Sequence, residues 1–180
     1  HLSLRRQRQM CIRDRIIPSG HEPNDYIVER LECPSHDGRV VPITITRHKN
    51  TPIDGSAELL LYGYGSYGHS MSPTFSSTRL SLIKRNIIWA TAHIRGGMER
   101  GMKWWKEGKL LNKKNTFKDY IACAKFLIEK KYTSKKKIIG MGGSAGGLLM
   151  GVVVNEEPDL FLGVIMAVPF VDSLTTNLDH

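Results

Sequence analysis

Long apolar stretches are missing from this chain. No run approaches the ~18 apolar residues that a membrane span needs, and the longest, Phe161 to Val171, is broken by Gly163 and Pro169. The first residues are basic but have no continuous apolar segment, so they are not expected to be a secretory signal. Cysteine is scarce. Cys11, Cys33 and Cys123 share no metal-ligand spacing, and their odd count argues against a disulfide framework. No metal site is expected, and a reducing, cytoplasmic setting is. Internal repeats and low-complexity linkers are also absent.

Negative charge is in short supply: 26 Lys and Arg against 17 Asp and Glu leave a net charge of +9. Its distribution argues against nucleic acid. Arg5, Arg6, Arg8, Arg13 and Arg15 against Asp14 give +4 within the first fifteen residues. The rest is mostly lysine scattered over predicted helix faces and loops, such as Lys113, Lys114, Lys130 and Lys135 to Lys137. These read as a solvated surface rather than a phosphate-binding patch. The single Arg95-Gly96-Gly97 is not an RGG repeat.

What is present is ordinary globular composition, 41% apolar and 24% charged. Residues 1–15 show neither periodicity nor turn logic and read as a disordered leader or a scar; 16–180 are taken as one folded unit. Tyr26-Ile27-Val28 leads a strand, His36-Asp37-Gly38 is a hairpin turn, and Val40 to Thr46 alternates as a half-buried strand. From Leu59 the pattern changes to short continuous apolar runs, as expected of strands buried on both faces: Leu59–Tyr62, Ile87–Ala90, Lys137–Gly140 and Gly163–Val168. Between them lie helical segments: one with Leu80, Leu82 and Ile83, one at Phe117, Ile121, Ala124 and Ile128, and one over Gly147–Asn155. Thr116 with Asp119 three residues later predicts a capping box for the second. Strands alternating with helices predict an α/β fold with a doubly wound, mostly parallel sheet.

Gly142-Gly143-Ser144-Ala145-Gly146 fits G-x-S-x-G, with a strand before it and a helix after it. Such a turn lifts the serine hydroxyl clear of the sheet and aims the Ala145 N–H at a developing oxyanion. The other reading is a glycine-rich phosphate turn. A P-loop would need Gly-Lys-Ser/Thr, whereas Gly147 is followed by Leu148 and Leu149. A second oxyanion donor is expected from the loop after an earlier strand. Tyr64, in Gly63-Tyr64-Gly65-Ser66-Tyr67-Gly68, either presents its hydroxyl there or packs as an aromatic plug.

These motifs, with His93-Ile94-Arg95-Gly96-Gly97, Gly108-Lys109-Leu110-Leu111 running to Phe117, Tyr132-Thr133-Ser134, Pro158-Asp159-Leu160-Phe161 and Val168 to Asp172, resemble the prolyl oligopeptidase family of serine peptidases over residues 18–179. The resemblance implies an α/β-hydrolase fold, truncated on its C-terminal side. It implies Ser144 as nucleophile, Tyr64 and Ala145 as oxyanion donors, and Tyr67 and Phe170 as substrate-pocket aromatics. It also implies hydrolysis of short peptides after Lys or Arg without metal or organic cofactor, and a β-propeller domain that this chain does not encode. Met98 departs from the third glycine that the family commonly has after Arg95-Gly96-Gly97.

A triad needs an acid and a histidine after the serine. Asp172 is expected at the end of a strand and His180 is terminal; the resemblance makes Asp172 structural and places the acid and the histidine beyond residue 180. The 180-residue chain alone is therefore expected to be inactive. An esterase or acylaminoacyl-peptidase of the same fold, and a non-catalytic binding protein, are the alternatives.

Overall fold

A computed structural model of the chain describes residues 22–72 and 74–178. The expected leader at 1–15 and His180 lie outside the described residues. Among the described residues six strands form one sheet: β1 (Tyr26–Pro34), β2 (Val40–His48), β3 (Leu59–Tyr62), β4 (Ile88–Ala92), β5 (Ile138–Gly143) and β6 (Phe161–Ala167). Their spatial order is β1-β2-β4-β3-β5-β6. β1 and β2 form an antiparallel hairpin, and β2 runs antiparallel to β4. From β4 onward every pairing is parallel. The helices are α1 (Ser77–Ile83), α2 (Met102–Lys106), α3 (Lys114–Glu129), α4 (Ala145–Glu156) and α5 (Ser173–Leu178). An antiparallel hairpin leading into a parallel sheet crossed by helices is the α/β-hydrolase architecture. No helix among the described residues is long and apolar enough to cross a membrane.

β3 is buried on both faces, whereas β4 and β5, expected to be so too, alternate buried with half-buried positions, because the face bearing Tyr62, Trp89 and Thr91 borders a cavity. Leu59, Leu61, Ile88, Ala90 and Ile138 are fully enclosed. Onto them α3 packs Tyr120, Cys123, Ala124 and Leu127. The Tyr120 ring would leave its hydroxyl stranded there. It donates instead to the carbonyl of Leu61 at 2.7 Å, and burial pushes its acidity well above the usual phenol value.

Two further expectations are corrected. α3 begins at Lys114, two residues before Thr116, and no capping box forms. The Thr116 hydroxyl donates instead to the carbonyls of Arg95 and Gly108, at 2.8 and 3.2 Å. Nor is β6 enclosed like β3: Leu162, Ile165 and Met166 are 57%, 45% and 43% exposed. β6 pairs with β5 on one side only, so its apolar residues lie at a sheet edge.

Arg95, 1% exposed, ties the hairpin and α3 to the loop after β4. Its Nε and Nη2 donate to Asp119 at 2.8 and 2.6 Å, and its own backbone N–H donates to the same carboxylate at 3.1 Å. Ser35 adds a fourth bond to Asp119, at 2.6 Å, and Asp37 takes the far side of the guanidinium. Burial disfavours the Arg95 charge, but the two carboxylates outweigh it and hold the group firmly protonated. At Asp37 burial pushes the carboxyl up; bonds from Arg95 and from the Arg39 N–H outweigh it and leave it below the ordinary carboxylate range.

Removing one partner of a buried pair leaves the other uncompensated, at a cost of about 3–5 kcal/mol. Asp119→Ala should therefore lower the urea midpoint of the chain by that amount of stability, and an unchanged midpoint would contradict this. Because the Asp37 carboxyl is depressed in the folded state, its contribution is intact above the unfolded carboxylate value near ~3.9 and fades as pH falls through its lower folded value. An acid titration of the Asp37→Asn variant should lack that component.

Candidate active site

Ser144 joins the end of β5 to the start of α4 with φ 55° and ψ −117°. A non-glycine residue there carries strain on the order of 1–3 kcal/mol and needs surroundings that enforce it. They are visible. The Ser144 N–H donates to Ala167 of β6 at 2.8 Å, while its carbonyl accepts from Gly147, Leu148 and Phe170 at 2.9, 3.2 and 3.1 Å. Glycines make the convergence sterically possible. A Cβ on Gly142 would lie 2.2 Å from the Gly146 carbonyl oxygen, and one on Gly147 would lie 2.6 Å from Pro169 Cα. Ser144 is exposed, while Ala145 behind it is buried. The Ala145 N–H belongs to the first turn of α4, where donors have no partner within the helix.

The glycine loop after β3 reaches this turn. Gly63 continues the strand pairing through a 3.0 Å bond to the Met141 carbonyl. A Cβ placed on Gly146 would lie 2.8 Å from the Gly63 oxygen and 3.4 Å from the Tyr64 ring. Tyr64 thus lies against the first turn of α4, and His69 meets its ring edge-to-face with centroids 5.5 Å apart. Tyr67, at φ 56°, is 78% exposed at the loop's tip.

Two further loops support this one from below. Gly68 donates to the Gly96 carbonyl at 2.9 Å. A Cβ on Gly96 would lie 2.0 Å from the Gly65 oxygen, and one on Gly108 would lie 2.1 Å from the Gly96 nitrogen. The three loops touch backbone to backbone. Met98, in place of a further glycine, reaches under Gly68, where its terminal methyl would lie 2.9 Å from an added Cβ.

Of the residues singled out in the sequence, the structure brings Ser144, Ala145 and Tyr64 together. Phe170 joins them through its main chain, with its side chain half-buried; Tyr67 stands apart at the loop's tip. Asp172 is used locally, its carboxylate accepting from the Thr175 N–H at 3.1 Å. His93 is buried against Thr44 at 2.8 Å and Glu99 at 3.5 Å. Burial raises the Glu99 carboxyl, yet the nearby His93 ring and a bond from the Met71 N–H bring it below its ordinary value. No three His, Cys, Asp or Glu side chains converge to hold a metal among the described residues. A cavity of about 530 Å³ under α1, lined by Tyr62, Arg79, Trp89 and His93, includes neither Ser144 nor Tyr64.

Two features were not anticipated from sequence. Residues 63–68 spell G-x-G-x-x-G after a strand, yet no helix opens until Ser77, so the dinucleotide fingerprint is not met. Lys113, read as a solvated lysine, is half-buried and donates to the Gly65 carbonyl and the Ser66 hydroxyl at 2.6 and 2.7 Å. Its place was the available signal: an ammonium at the positive start of a helix is unfavourable unless local acceptors hold it.

A strained serine between a parallel strand and a helix, on this sheet order, defines the class as α/β-hydrolase. Residues 73–180 match the model of the prolyl oligopeptidase family. The dipeptidyl aminopeptidase BI of Pseudoxanthomonas mexicana is 47% identical over 161 residues, 89% of this chain and 22% of that protein. Protease 2 of Moraxella lacunata is 42% identical over 178 residues, 99% of this chain and 26% of its own length. The solved structure of oligopeptidase B from Leishmania major superposes with a TM-score of 0.86 at 45% identity, over 90% of this chain and 23% of that one. The chain belongs to the prolyl oligopeptidase family. It spans between a fifth and about a quarter of the length of these relatives.

The backbone of Ser144 suits glycine better than alanine. Ser144→Gly should be more stable than Ser144→Ala by about 1 kcal/mol in urea unfolding. Equal stability would mean that the turn carries no strain.

Proposed function

We propose that this chain supplies the nucleophile and both oxyanion donors of a serine peptidase acting on short peptides. The observation that carries this reading is Ser144, exposed and held left-handed, with the first turn of α4 behind it and Tyr64 packed against that turn. In this reading Ser144 Oγ attacks the scissile carbonyl while its proton passes to a histidine base. The oxyanion that forms accepts from the Ala145 N–H and the Tyr64 hydroxyl. Collapse transfers the proton to the departing amine and leaves an ester on Ser144, which water then hydrolyses. No metal or organic cofactor enters these steps. Tyr67 and Phe170 flank the bound peptide.

The histidine, its carboxylate partner and a propeller that restricts entry to short peptides are assigned to the part of the relatives' length outside this chain. Cleavage after Lys or Arg is assigned from the runs Gly108–Phe117 and Val168–Phe170, which resemble the oligopeptidase B branch. The buried free thiols of Cys33 and Cys123 suit a reducing, cytoplasmic compartment. A second reading, removal of N-terminal dipeptides, is favoured by the name of the 47% identical relative. Blocking the substrate's N-terminus separates the two: an endopeptidase tolerates the block and a dipeptidyl aminopeptidase does not.

If the Tyr64 hydroxyl is an oxyanion donor, it acts only as charge develops in the transition state. Tyr64→Phe in the full-length protein should lower kcat by about 10²–10³ with KM nearly unchanged, beside Ser144→Ala as the inactive control. A Tyr64→Phe variant within a few-fold of wild type would make the ring a packing element and sink the assignment.

A further inference from the structure

Lys113 is the residue before α3, with φ −57° and ψ −31°. Its ammonium therefore lies at the positive end of a sixteen-residue helix. It forms no salt bridge among the described residues. Among the described residues, the groups around it give no compensating negative charge. Lys109 and Tyr67 line the same cavity of about 280 Å³, Trp105 lies under the Lys109 ammonium, and the Phe117 ring is 5.9 Å from the Lys113 nitrogen. Burial accordingly pulls the Lys113 pKa down to about 8. A lysine placed this unfavourably is held by what it bonds, and both of its acceptors belong to one loop: the Gly65 carbonyl and the Ser66 hydroxyl.

That loop needs a tether. Gly65, Tyr67 and Gly68 all have positive φ, at 64°, 56° and 66°. Its own backbone bonds are few: Gly63 to Met141, Gly68 to Gly96, and His69 to Ser66. None of these engages Tyr64 or the carbonyl that follows it. The Lys113 bond to the Gly65 carbonyl does, one residue beyond Tyr64.

We propose that Lys113 is a positioning residue for the oxyanion loop: by binding the Gly65 carbonyl and the Ser66 hydroxyl it fixes where the Tyr64 hydroxyl points. This rests on the reading of Tyr64 as an oxyanion donor. Lys113 touches no reacting atom. Its effect passes through Tyr64, so losing it should lower kcat through misplacement of one donor, without adding to the loss of that donor's hydroxyl.

The test has two arms in the full-length protein, using Lys113→Met and, as a second variant, Lys113→Gln. The first arm is hydrogen–deuterium exchange of residues 63–69, which needs no catalysis. Both variants should exchange faster there while the β3 and β5 amides stay protected; unchanged exchange in 63–69 overturns the tether whatever the enzyme does. The second arm is kcat and KM on an Arg-containing peptide for Lys113→Met, Tyr64→Phe and the double variant. Lys113→Met should lose about 10–100-fold in kcat, and the double variant should be no slower than Tyr64→Phe alone. Losses that multiply would show that Lys113 acts elsewhere than through Tyr64, and overturn the proposal. A normal kcat for Tyr64→Phe would instead overturn the oxyanion reading, and with it the catalytic half of this one, while faster exchange in 63–69 would still establish the tether.

Discussion

The burial of the Arg95–Asp119 pair is the constraint on which the rest of the structure leans. A guanidinium and a carboxylate enclosed together are tolerable only when each lone pair and each N–H is used. Here Asp119 takes two side-chain bonds and one backbone bond from Arg95 and a fourth from Ser35. The requirement therefore fixes three segments at once: the β1–β2 turn, the loop after β4, and the middle of α3. Once residues 95 and 96 are pinned, Gly96 sets the height of Gly65 by backbone contact. A buried charge pair is thereby converted into steric placement of the neighbouring loop that bears Tyr64.

The serine turn works by a different division of labour. Its strain is not balanced by a charged pair but by four backbone hydrogen bonds, drawn from β6, from α4 and from Phe170. The segments approach closely because Gly142 and Gly147 present no side chain. The turn thus depends on β6 being in place, although β6 is the least covered strand of the sheet.

The legible parts of the sequence were those whose physics is local. Leu59–Tyr62 announced a doubly buried strand, and the glycines around Ser144 announced a tight strand-to-helix turn; both stand in the structure. Where a residue's role depended on a distant segment, sequence logic failed. Thr116 and Asp119 have capping-box spacing, but both side chains are committed to the Arg95 loop. Lys113 looked like any surface lysine because its acceptors lie almost fifty positions earlier in the chain. The apolar run of β6 read as buried because composition reports what a strand prefers, and not whether a neighbour is present to cover it. The contact between Tyr64 and the first turn of α4 could not be read from either segment alone, since it comes from β3 and β5 being neighbours in the sheet.

The position of β3 has a consequence for how the chain is made. It is among the earlier strands to be synthesised, yet it lies between β4 and β5, which are both made after it. Its partner across Leu59–Tyr62 begins only at Ile138, so on a ribosome adding ~5–20 residues per second it waits on the order of seconds for a second edge to close over it. Until then Leu59, Leu60 and Leu61 lack the neighbour that closes one side of their strand in the folded sheet. Closure of the sheet's centre therefore waits on a segment made well after it.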